Sequence, residues 1–161
     1  MSIPNYLYDF EGNLEPAFYA VLKSAGIPYP KMARGSEDIE TPCVTVEIKI
    51  GEELRRFPCI ASNGDQVLLP DYYRASATID MMTNRLKPEQ YALHAIWRSA
   101  IRITMIDWER SFAGKLQYHA IDEIREGGSS PAIDNGDKLD TSSISFNFTF
   151  HILTEAFPNP I

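Results

Sequence analysis

The stretch Ile144-Ser145-Phe146-Asn147-Phe148-Thr149-Phe150-His151-Ile152 alternates without a break. In an extended chain Ile144, Phe146, Phe148, Phe150 and Ile152 fall on one side, and Ser145, Asn147, Thr149 and His151 on the other. One dry face and one wet face is the pattern of an antiparallel sheet packed on one side only. Such a sheet needs partner strands and a cover for its apolar face, and the rest of the chain is read for both.

Two other segments share the period of two. In Cys43–Ile50, Val44, Val46, Ile48 and Ile50 oppose Thr45, Glu47 and Lys49. Pro42 stands at the start of that strand, where a missing N–H does least harm. In Tyr73–Met82, Tyr73, Ala75, Ala77, Ile79 and Met81 share a face. Weaker signals read Gly51-Glu52-Glu53 as a turn, Leu54–Phe57 as a return strand and Val67–Leu69 as a short strand. Asn63-Gly64 reads as a turn, and Leu116 to about Arg125 as a further strand.

Two helices supply the cover. In Asn13–Gly26, the residues Leu14, Phe18, Val21, Leu22 and Ala25 recur at steps of three and four. Asn13 is the expected cap, Pro16 lies in the first turn and Gly26 suits a left-handed exit. The main helix is expected from Glu89 to about Asp107, with Pro88 at its start. Leu93, Ile96, Trp97, Ala100 and Ile103 form its expected buried stripe, and Tyr91, His94, Arg98 and Arg102 the opposite, wet face. The fold expected is one α+β domain over residues 1–161. It has two layers, a mainly antiparallel β-sheet covered by two amphipathic helices, and long loops near 27–41, 51–66 and 126–142.

Composition bounds the function. The 161 residues are 44% hydrophobic and 23% charged, the balance of a soluble globular domain with a proper core. The net charge of -7 argues against a bulk-basic nucleic-acid binder. No run is long and apolar enough for a spanning helix, and Met1–Tyr6 lacks the features of a secretory signal. Cys43 and Cys59 are expected as free thiols in a reducing compartment rather than as a disulfide.

No GxSxG, P-loop, strand-linked GxGxxG, HExxH or CxxC motif occurs, and no cofactor is expected. His94, His119 and His151 sit on three different elements, so nothing in their spacing demands a metal site. His119 with His151 is its best seed. The run Asp134 to Asp140 carries oxygen ligands at the wrong spacing for a calcium loop, and reads as a solvated turn with Asx-type bonds. Asp122 with Glu126 and Glu37 with Glu40 are paired carboxylates by number only. A ligand-binding or enzymatic reading would place His119, His151 and Asp122 around one cleft. The stripe Tyr91, His94, Arg98 and Arg102 suits a protein interface, because Tyr and Arg are enriched at hot spots. Facing it, the acidic residues Glu37, Asp38 and Glu40, with Asp137 and the 122–126 cluster, offer the other half of a head-to-tail electrostatic contact.

The layout resembles the tail terminator (tail completion) proteins of long-tailed bacteriophages, the group that includes the lambdoid minor tail protein U. An opening amphipathic helix ends at Ala25-Gly26, and a loop leads into Thr41-Pro42-Cys43-Val44-Thr45-Val46. The long strand Ala75–Thr83 is followed by a helix, and a late loop precedes the alternating strand Ile144–Ile152. The resemblance implies a non-enzymatic virion protein, present in the host cytoplasm during assembly. It implies a ring, typically hexameric, that ends tail-tube polymerisation and joins the tail to the head–tail connector while DNA passes through without specific binding. Other head–tail connector and neck components share this texture. The loops at 27–41, 51–66 and 126–142 are then the segments expected to reach the partners.

Overall fold

The computed structural model describes residues 10–27, 41–60, 63–116, 119–134, 136 and 138–153, with the side chains from residue 14 onward. The chain runs α1 (Phe10–Ser24), β1 (Cys43–Ile60), β2 (Gln66–Asn84), a 3-10 turn (Pro88–Gln90), α2 (Ala92–Ile106), α3 (Trp108–Ser111), β3 (His119–Asp134) and β4 (Leu139–Ile152). The strands form one antiparallel sheet in the order β1-β2-β4-β3. The α+β class and the antiparallel sheet are as the alternation predicts.

The deciding stretch lies in an inner strand. Ile144, Phe146, Phe148, Phe150 and Ile152 of β4 are all buried, beside Ala75, Ala77, Ile79 and Met81 of β2 and Val44, Val46 and Ile48 of β1. Leu14, Phe18, Val21 and Leu22 of α1 complete this core, and Phe18 meets the rings of Phe112 at 4.9 Å and Phe148 at 5.4 Å. The Val46 N–H of edge strand β1 donates to the Tyr19 hydroxyl at 3.0 Å, so α1 also satisfies part of that edge.

Several boundaries differ from expectation. α1 begins at Phe10, so Asn13 is inside the helix, not its cap, and Pro16 is interior rather than in the first turn. Ala25 is exposed, and Ile27 takes the buried position after the helix. Gly51-Glu52-Glu53 is not a turn. β1 runs straight through it, and the register against β2 shifts three times between Ile50 and Arg56. A side chain at Gly51 would stand 3.0 Å from the Arg74 carbonyl oxygen, so this glycine serves a bulge with close backbone approach. The reversal comes at Asn63-Gly64, as expected, with Gly64 at φ +88. There the Asp65 N–H donates to Asn63 Oδ1.

Likewise β3 continues to Asp134, although 126–142 reads as a loop. Two of its three register shifts coincide with Gly127-Gly128 and with Pro131. An edge strand tolerates proline at such an irregularity because no ladder bond is lost. The strands Val67–Leu69 and Tyr73–Met82 are parts of one strand, β2.

α2 shows the largest departure. Its buried residues are His94, Trp97, Ile101 and Met105. Ile96 and Ile103, expected inside, are 58% and 69% exposed. Trp97 is buried as expected and Leu93 and Ala100 pack against the core, so the buried face is displaced toward His94, Ile101 and Met105 and away from Ile96 and Ile103.

Candidate functional site

Three places in this fold bring chemistry-bearing side chains together. The first is the former wet stripe of α2, which is not one surface. His94 is buried, with Nε2 2.6 Å from Thr83 Oγ1 and Nδ1 2.6 Å from Ser142 Oγ. A neutral imidazole donates at one nitrogen and accepts at the other, so both hydroxyls are matched. Burial accordingly pushes the His94 pKa down, with the Asp140 charge opposing and Arg98 adding to the shift. Arg98 donates from Nη1 to the Ser130 carbonyl at 2.8 Å. Arg102 forks onto Glu126 at 3.0–3.2 Å and reaches Ser129. The two arginines therefore tie α2 to edge strand β3. Tyr91 remains at the surface, 56% exposed. Glu37, Asp38, Glu40 and Asp137 lie outside the described residues.

The second place is the pair His151 and Asp122. Asp122 sits where the β3 register shifts, and its oxygens are 3.0 and 3.1 Å from His151 Nδ1. The His151 ring stacks on Tyr72, and Arg55 lies over the other partner of that stack while forking onto buried Asp71. His119 does not join this pair. Alternation puts it on the core side, edge-on to Phe150, where burial and the His151 charge lower its pKa to about 4. An open cleft of about 530 Å³ lies between α3 and β3, lined by Trp108, Phe112, Leu116, His119 and Asp122 among others. The expected three-residue cleft is thus only partly assembled, with His151 outside that lining. Among the described residues no group of three or more His, Cys, Asp or Glu is placed to hold a metal ion. Cys43 and Cys59 are both buried, and no disulfide joins them.

The third place was only partly legible in the sequence. Among the described residues β2 pairs with β4 from Tyr72 onward, so Arg56–Ile60 and Gln66–Pro70 form a two-stranded arm past that pairing. On one side of the arm Phe57 faces Leu69 and buried Cys59 faces Val67. The other side carries Pro58 opposite Leu68, which is 55% exposed, and Ile60. The first side belongs to the core of the subunit, and only the second, with Pro58, Leu68 and Ile60, turns apolar side chains outward. The length of the arm was hidden because Gly51–Glu53 reads as a turn, although the Asn63-Gly64 signal marks its tip.

The end of β3 and the start of β4 are clasped together. Arg85 pairs with Asp134 and Asp140, and the Gly136 N–H donates to Asp134 Oδ1 at 2.8 Å, the expected Asx-type bond. The Arg85 guanidinium, with that backbone donor, holds the Asp134 carboxyl down at about 2.

The chain matches no protein-family model and no curated protein. Among the described residues no helix is long and apolar enough to cross a membrane.

Proposed function

We propose that this chain is a structural assembly protein of a phage virion, a ring subunit that closes the end of a tail tube and joins it to the head. The observation that carries the reading is the two-stranded arm of Arg56–Ile60 and Gln66–Pro70, whose outward face carries Pro58, Leu68 and Ile60. With its other face packed on the core, the arm turns these apolar side chains outward at the sheet's end, which suits a docking element. Its partners in this reading are a neighbouring copy, the tail tube protein and the head–tail connector, met in the host cytoplasm and kept in the virion. The order of elements and the resemblance to tail terminators supply the finer identity. An overall charge of -7 suits a ring that lets DNA pass without capturing it.

Leu68→Asp places a charge on the outward side of the arm without touching the core. The expected outcome is a folded protein that no longer co-sediments with purified tail tubes, whereas the wild type does. Undiminished co-sedimentation of the variant would contradict the arm's role. A ligand-binding reading keeps one supporting observation, the Asp122–His151 pair beside the cleft. It predicts that a small molecule shifts the His151 ring signals in NMR.

A further inference from the structure

The tip of the arm carries Asn63-Gly64, and Asp65 fixes that asparagine from both ends of its amide. The Asp65 N–H donates to Asn63 Oδ1 at 3.0 Å, and Asn63 Nδ2 donates to Asp65 Oδ2 at 2.9 Å. All three residues are exposed. Gly64 has φ +88, and a side chain there would meet nothing within 4 Å, so the backbone at this glycine is open to water. Among the described residues the Gly64 N–H enters no hydrogen bond. Asn84 provides the contrast. Its Oδ1 likewise accepts the N–H two residues on, from Leu86 at 2.9 Å. The N–H directly after it, however, belongs to Arg85 and donates to the Lys138 carbonyl at 2.8 Å. The two asparagines share the turn bond and differ in the nitrogen beside them.

We propose that Asn63 is a site of spontaneous covalent modification, closing onto Gly64 to form a succinimide. Hydroxide removes the Gly64 N–H proton, and the nitrogen attacks Asn63 Cγ. A C–N bond forms, and the carbonyl electron pair moves to Oδ1. The Asp65 N–H already donates to that oxygen, where the negative charge develops. The tetrahedral centre then collapses. The Cγ–Nδ2 bond breaks, and the nitrogen takes a proton from water and leaves as ammonia, which regenerates hydroxide. Water adds to one or the other ring carbonyl, and opening yields aspartate or isoaspartate. Either product puts a second carboxylate where Nδ2 now donates to Asp65, and isoaspartate also lengthens the backbone of the turn by one carbon. At Asn84 the same closure is blocked, because Arg85 bears a side chain and its N–H is held by Lys138. The chemistry is the same whether or not the arm docks to a partner.

The test uses the full folded chain, held in mildly alkaline buffer and sampled over days. Peptide mapping by mass spectrometry reads the loss of the amide. Methyl transfer by protein isoaspartyl methyltransferase reads isoaspartate. The expected result is progressive conversion at Asn63, with methyl uptake in the same peptide, while Asn84 stays intact. Asn63→Gln has to close a larger, slower-forming ring. It is expected to lose the methyl uptake of that peptide and to keep the circular dichroism of the wild type. Asn63 that stays intact in the folded chain would overturn the proposal, whether or not the urea-unfolded chain converts. So would conversion of Asn84 at the rate of Asn63 in the folded chain, or methyl uptake that persists in the Asn63→Gln peptide.

Discussion

His94 stands between two hydroxyls, Thr83 and Ser142, both of which are buried. Replacing the ring by leucine removes two hydrogen bonds and leaves both hydroxyls without it, a loss expected to cost about 2–4 kcal/mol. Urea denaturation of His94→Leu measures the cost, and adding Thr83→Val and Ser142→Ala should restore part of it. His119 makes stability depend on pH. Its folded pKa of about 4 lies below the usual value near 6.5, so between those limits the unfolded chain binds the extra proton. The stabilisation is complete above about pH 6.5 and is lost as pH falls toward 4. From His119 alone, unfolding free energy at pH 5 should be about 2 kcal/mol lower than at pH 7. His119→Gln should flatten that slope, and an unchanged slope would assign it to other groups. His94, shifted in the same direction, adds to the trend.

The helix and strand elements show where local pattern suffices. Arg85 clasps Asp134 and Asp140, pinning the end of β3 and the start of β4 beside the end of β2. Arg85→Ala should speed amide exchange at residues 133–141 while leaving the melting temperature nearly unchanged; equal exchange in both proteins would show the clasp to be idle. Long alternations such as Ile144–Ile152 were legible because period two and burial agree over many residues. Gly51–Glu53 and Gly127-Gly128 were not, because a turn and a bulge both use glycine and both interrupt pairing. Only the partner strand decides between them, and that information is far away in sequence. α2 was misoriented for a different reason. Both of its faces are apolar, and pattern alone prefers isoleucine inside to a histidine whose two partners lie on β2 and β4. The candidate interface suffered with it: Arg98 and Arg102 bind β3, while Ile96, Ile103 and Ile106 look outward.

At the scale of the whole molecule, two surfaces among the described residues expose apolar side chains, the outward face of the arm and the outer face of α2. Catalytic side chains gather less completely, since His119 and His151 stand on opposite sides of the sheet. An assembling subunit accounts for both apolar surfaces, and the acidic charge keeps unassembled copies apart until specific contacts form. The direct measurement is the solution mass by light scattering, over a range of concentrations and with purified tail tubes added, with negative-stain images of each species. The account predicts concentration-dependent association of the free protein and ring-shaped caps at tube ends. A particle that remains a monomer at every concentration and ignores tail tubes would contradict it.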